Sequence, residues 1–316
     1  MEAFFTMLSN VLIFIALAVP GFIMAKTNVI KESESQPLSR ILIYIGVPFL
    51  VASNALQITF DSATLIIIAL SALISVLYTA VWYVLSKPAT SFIKDFKTQG
   101  VARFEIWSSN NGFLGIPLAV AVFSNMPLVI MCVVIANIIN NVAMFTIGVY
   151  LISGDKKNIS IKKIITNPCL IGFVVGIILN FTKVTAVVPQ ISDYINYLTP
   201  IVTPISMFVL GIKLGSIKIA SLFKNKYLYV VSLYKLIFVP TLLVGVMLLL
   251  GLVLHVPNEL ILGMFVAFAT PSASMATTFA DNYGGDSKSA AIFTIGTTIL
   301  SVITIPVLYY LLMLII

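Results

Sequence analysis

Apolar runs of about twenty residues recur along the chain, and two of them are broken near their middles. The first break reads Ser108-Ser109-Asn110-Asn111-Gly112-Phe113-Leu114-Gly115-Ile116-Pro117, and the second reads Ala269-Thr270-Pro271-Ser272-Ala273-Ser274. Proline withholds its backbone N–H and clashes with the preceding turn, so Pro117 and Pro271 free carbonyls that a hydrocarbon core cannot hydrate. Breaks of this kind persist only where they face protein or a wet cavity. Interrupted segments at corresponding places in two halves of a chain are the sequence mark of a secondary transporter whose binding site lies at the bilayer midplane.

Counting apolar runs between polar interruptions predicts ten membrane helices, over 5–25, 37–58, 63–86, 103–123, 127–152, 165–182, 189–212, 227–253, 259–281 and 289–313. The expected class is therefore an all-α polytopic membrane protein. Composition agrees, with 60% hydrophobic and 9% charged residues over 316 positions and a mean hydropathy of +1.11. Met1-Glu2-Ala3-Phe4-Phe5 carries no positive residue ahead of an apolar run that continues to Ala25, so this stretch reads as the first membrane helix rather than a cleaved signal. Cys132 and Cys169 fall in apolar stretches without metal-like spacing and read as small buried side chains; no metal or organic cofactor is expected.

Charge sorts the loops. Sixteen of the eighteen basic residues flank the odd-numbered connections, in the groups Lys26 to Arg40, Lys87 to Arg103, Lys156 to Lys163, Lys213 to Lys226, and Lys288. Lys183 alone lies on the opposite side, and Lys235 lies within the eighth helix. Basic flanks stay cytoplasmic, which predicts a multi-pass cell-membrane protein with both termini outside. The net charge of +7 then reports topology rather than nucleic-acid binding. With five helices per half, helix one enters from outside and helix six from inside, so 1–152 and 165–316 are expected to be inverted repeats joined by a cytoplasmic linker over 153–164.

Each broken helix is followed by a polar stripe. Asn137, Asn140 and Asn141 share one face of helix five, and Thr294, Thr297, Thr298 and Ser301 repeat the periodicity on helix ten. Hydroxyl stripes commonly serve interhelical bonding in lipid. Each amide has two donors and two acceptor lone pairs to satisfy, so Asn140 and Asn141 are read as cavity-lining. Asn110, Asn111 and Gly112 in the first break, with Thr270, Pro271, Ser272 and Ser274 in the second, complete the candidate substrate site. Half-helices resuming at the breaks would point positive N-termini at the midplane and favour an anion. Glu105, Asp193 and Glu259 fall near predicted helix ends, leaving an organic cation without a counter-charge. Lys235 is the exception in the uncharged core, either serving a charged ligand or snorkelling to the cytoplasm. His255 reads as an ordinary exposed residue of the outer loop.

The opening helix ending in Pro20-Gly21, the Asn110–Pro117 run and Pro271-Ser272-Ala273-Ser274 together resemble the auxin efflux carrier family over essentially the whole chain, in the manner of its short bacterial, malate permease-like members. The resemblance implies a fold like that of the bile acid sodium symporters, with helices four and nine crossing. It implies a scaffold of helices one, two, six and seven, a transport domain of helices 3–5 and 8–10, elevator-like alternating access and a homodimer. Family binding residues map onto Asn111, Pro117, Asn140 and Pro271. Plant members tend to carry an asparagine after the second crossing where this chain has Ser272 and Ser274, and an acidic residue on helix two where the nearest polar residue here is Asn54, so the resemblance does not support proton coupling.

A secondary transporter of a small organic anion, such as malate, another carboxylate or an auxin-like weak acid, follows as the expected function. The coupling ion is open, with sodium held by carbonyl, amide and hydroxyl oxygens as one choice. The alternatives are a non-transporting anion sensor or partner-binding membrane protein, a channel, and a membrane enzyme. The last is opposed by one His, two separated Cys and no paired mid-membrane carboxylates.

Overall fold

The computed structural model describes residues 2–316 apart from 160, 161, 163, 164, 218–221 and 255, so Lys163, Lys218, His255 and part of the 153–164 linker lie outside the described residues. All regular structure among the described residues is helical. In chain order the main helices are α1 (Glu2–Lys26), α2 (Glu32–Leu56), α3 (Ser62–Ala89), α4 (Phe96–Trp107), α5 (111–122), α6 (Pro127–Ser153), α7 (Pro168–Thr182), α8 (Gln190–Gly215), α9 (Lys226–Gly251), α10 (Asn258–Ala269), α11 (Ala276–Tyr283) and α12 (Ser287–Met313). Among the described residues seven helical stretches, in α1, α2, α3, α6, α8, α9 and α12, are long and apolar enough to cross a bilayer. The apolar helices α7 and α10 are shorter.

Polar residues mark where helices start. Asn167 caps α7 by accepting the Cys169 N–H at 2.9 Å, Asn225 caps α9 by accepting that of Tyr227 at 2.9 Å, and Asp286 caps α12 by accepting that of Ser289 at 3.0 Å. Each side chain satisfies a donor that the helix start would otherwise leave bare. The fourth span departs from expectation for the same reason. Predicted over 103–123, it begins at Phe96, where Asp95 accepts both the Thr98 N–H and the Thr98 hydroxyl at 2.8 Å. The Thr98 N–H holds the Asp95 carboxyl below its ordinary range. The consequence is positional: Glu105 does not sit at the start of a span but three residues before the break, in the fully buried interior.

Several helix pairs pack closely enough to need glycine, among them α4 with α6, where a Cβ on Gly100 would collide with the Leu151 carbonyl oxygen. A Cβ on Gly211 of α8 would collide with the Ala18 backbone of α1, and one on Gly172 of α7 would collide with the Pro48 backbone of α2. Small residues let helices in lipid approach to backbone contact, where dispersion replaces the missing hydrophobic drive. α6 and α10 form the centre, with Val129 to Ala136 and Leu260 to Ala269 buried without interruption and Gly263 packed against Cys132. Large apolar side chains face outward from α1, α3, α7 and α9, including Leu12, Ile66, Val174 and Leu249, as a lipid-facing surface requires. At one end of the bundle the Lys26 ammonium donates to the Ile217 carbonyl at 3.2 Å, and the Thr98 hydroxyl donates to Asp286 at 2.8 Å. The connections after α1, α3, α8 and α11 therefore gather on the same face.

Candidate functional site

The two breaks meet. The chain is extended at Ser108, turns at Asn110 and becomes helical again from Asn111. The Asn110 N–H donates to the Pro271 carbonyl at 2.9 Å, joining the breaks through their backbones. Beside that bond the Thr270 hydroxyl donates to Asn111 Oδ1 at 3.1 Å. The Ser272 hydroxyl donates to the Glu105 carbonyl at 2.8 Å, and the Ser272 N–H to Thr297 Oγ1 at 3.2 Å. Two further carbonyls at the break are taken up by neighbours. Tyr78 of α3 donates to the Trp107 carbonyl at 3.1 Å, and Asn140 of α6 donates to the Ser109 carbonyl at 2.9 Å. Side chains thus replace the helical bonds that the break removes, as buried backbone requires.

Against this junction lies a cavity of about 70 Å³ whose polar walls are Ser109, Asn110, Asn137, Asn141, Asn167 and Ser274, with Gly112 and Phe113 beside them. It holds several waters' worth of space, since a single water needs roughly 10–15 Å³ on this measure. Its other wall is Leu42 and Val47 of α2 with Pro168 and Cys169 of α7. Ile43, Phe113, Ser274 and Met275 also border a wider vestibule of about 580 Å³, lined by Glu32, Arg40, Lys213 and Asp281 among others. The cavity therefore neighbours a vestibule at the end of the bundle where the basic connections gather.

The residues singled out in the sequence separate into two groups. Asn110, Gly112, Asn137, Asn141 and Ser274 line the cavity. Asn141 donates to the Asn137 carbonyl at 2.8 Å and to its side-chain oxygen at 3.2 Å, while Asn137 donates to Cys169 Sγ at 3.3 Å. Asn111, Asn140, Thr270, Pro271 and Ser272 are buried behind it and hold the junction, and Pro117 lies past it in the resumed helix. The hydroxyl stripe of α12 turns back on its own helix: Thr297 and Thr298 donate to the Thr294 carbonyl and Ser301 to that of Thr298. Lys235 does not snorkel. It is fully buried and donates to Ser109 Oγ at 2.6 Å.

Ser109 is the centre that the sequence reading passed over, since it faces the cavity, takes the Lys235 bond and is braced by Asn140. Lys213, counted there with the loop lysines, stands between the vestibule and a narrow gap beside Asn110 and Ser274. A common backbone feature surrounds these residues. Four single π-turns, over Leu42–Gly46, Asn111–Gly115, Met144–Gly148 and Tyr234–Phe238, each supply a cavity residue or Lys235 itself. Such turns inside α-helices concentrate at functional sites.

The sequence profile of the family described as membrane transport protein matches residues 6–309. This chain belongs to the auxin efflux carrier family. No curated protein sequence matches it. The protein is thus a multi-pass membrane transporter that sits in the lipid bilayer and binds a small substrate, from a family of transporters rather than enzymes.

Proposed function

We propose that this transporter carries a small organic anion, malate or another carboxylate, across the cell membrane by elevator-like alternating access, as a homodimer with both termini outside. The observation that carries this reading is the polar cavity at the junction of the two breaks. Its amide N–H and hydroxyl groups can donate to a carboxylate without bringing a fixed negative charge beside it. In this reading the ten spans form two inverted repeats, with α4–α5 and α10–α11 as the crossing pair. Helices α1, α2, α7 and α8 form the scaffold, and the others move. The close pairs α1 with α8 and α2 with α7 support it, because exchanging the halves turns one pair into the other. So does the cavity's position between α2 and α7 on one side and the broken helices on the other. A vestibule at the basic end corresponds to the inward-facing state.

Uptake of labelled malate into proteoliposomes at controlled membrane potential tests the proposal. Asn110→Leu is the informative variant, because it keeps the backbone bond to Pro271 and changes only the side chain in the cavity. Saturable uptake is expected from the wild type, with about a tenfold loss in Asn110→Leu, equivalent to one polar contact of about 1.4 kcal/mol. Wild-type vesicles that take up neither malate nor other small carboxylates above empty liposomes would overturn the reading. Uptake unchanged when potassium replaces sodium would exclude sodium as the coupling ion.

A further inference from the structure

Beside the junction, outside the cavity wall, two ionisable side chains are enclosed together. Glu105 of α4 and Lys235 of α9 are both fully buried. Glu105 Oε1 accepts the Thr294 hydroxyl at 2.7 Å, while its Oε2 meets no donor. Lys235 gives a single bond, to Ser109 Oγ, although an ammonium has three to give. Lys235 is held beside α4 by Ser109, four residues along from Glu105, and no hydrogen bond joins the two ionisable side chains. Titratable groups on the other elements packed against α4 include Tyr78, Tyr150, Asp281 and Lys288, and on α4 itself Arg103 is turned to the Tyr83 carbonyl at 3.0 Å. Of these groups Lys235 is the fully buried cation, and its bond to Ser109 holds it at the same break that Glu105 precedes. Ionisable groups enclosed within a membrane protein are costly and mark ion or proton pathways.

We propose that Glu105 is a proton site coupled through Lys235 and Ser109 to anion binding in the cavity, so that the carrier moves its anion together with a proton. This rests on the anion-carrier reading above. Ser109 accepts from Lys235, borders the cavity and also meets the buried Tyr78 hydroxyl, so it is the polar link between Lys235 and the cavity wall. When Glu105 is ionised its charge offsets that of Lys235, and nothing at the junction favours an anion. When Oε2 carries a proton, the Lys235 charge is uncompensated and reaches the cavity wall through Ser109, its hydrogen-bond partner. Proton and anion each raise the affinity for the other, and that coupling is reciprocal. The proton comes from water on one side, forms the carboxyl O–H bond, and leaves to water on the other side.

The test is malate binding to the reconstituted protein across the pH range above malate's own titration, in the wild type, Glu105→Gln and Lys235→Met. Wild-type affinity is expected to weaken about tenfold from the acid to the alkaline end, a typical coupling for linked sites. Glu105→Gln should keep the acid-end affinity over the range in which Lys235 stays protonated, and Lys235→Met should bind weakly throughout. The same pH dependence in Glu105→Gln as in the wild type would overturn the proposal. Infrared difference spectra of the wild type give a readout that needs neither substrate nor a folded variant. A protonated-carboxyl band that disappears on alkalinisation supports the proton site, and its absence at every pH overturns it. A titrating band with no malate binding supports the proton site while overturning malate as the substrate.

Discussion

At the first break Ser109, Asn110 and Gly112 face the cavity, whereas the second conceals Thr270, Pro271 and Ser272 and reaches it through Ala273, Ser274 and Met275. The stripes behind them differ in the same direction. Asn137, Asn140 and Asn141 bond to the break, to Cys169 and to one another, and an amide that has made one such bond still has donors and lone pairs for a ligand. The α12 hydroxyls give their single protons to their own helix or to Glu105. Two similar interruptions have therefore become a polar face and a brace. The backbones differ as well, since helix resumes after three residues at the first break and after six at the second, and the choice of amide in one half and hydroxyl in the other adds to that asymmetry.

The comparison is broken most severely at Asn111, which belongs to the first break but acts as part of the brace. Its Oδ1 holds the Thr270 hydroxyl, and Gly115 is packed so near that an added Cβ would stand 2.9 Å from that same oxygen. Asn111→Leu should remove the bond and overfill the junction, costing about 2–3 kcal/mol. Thermal melting in detergent should fall clearly and labelled-anion uptake should be lost. Lost uptake at unchanged melting temperature would instead place the Asn111 side chain in direct service of the substrate.

A smaller effect is expected at Ser274, the polar side chain that the second break presents to cavity, gap and vestibule alike. Ser274→Leu should reduce uptake about tenfold, while stability stays within about 0.5 kcal/mol of wild type because the residue is only half-buried. Full uptake in this variant would sharpen the contrast by showing that the first break alone handles the anion.

Much of this arrangement was legible from residue order. Prolines and glycines inside membrane-length runs located both breaks, and amide spacing located the face of α6 that meets the cavity. What residue order hid was phase and depth. Periodicity says that Asn137, Asn140 and Asn141 share a face, but only tertiary packing turns Asn140 to the backbone and Asn141 to the cavity. Charged residues from Lys94 to Arg103 disguised the first turns of α4, so Glu105 was read near a helix end and its burial was missed. Lys213 was hidden by the rule that located the basic loops, since a lysine at a helix C-terminus is topologically ordinary whether or not it borders a vestibule.

The smallest effect is expected at Ser272. In an unbroken helix the Glu105 carbonyl would accept the N–H four residues on, that of Ser109, but the break turns this N–H toward Asn140 Oδ1 at 3.4 Å. The Ser272 hydroxyl takes the vacant place. Ser272→Ala removes one neutral hydrogen bond, and the backbone N–H of residue 272 keeps its bond to Thr297, so the cost should be about 1 kcal/mol. That change reads as a modest drop in melting temperature with uptake near the wild-type rate, since nothing in the cavity wall is altered. If Ser272→Ala instead slows uptake as much as Ser274→Leu does, the second break acts on the substrate from within, and the division between polar face and brace fails.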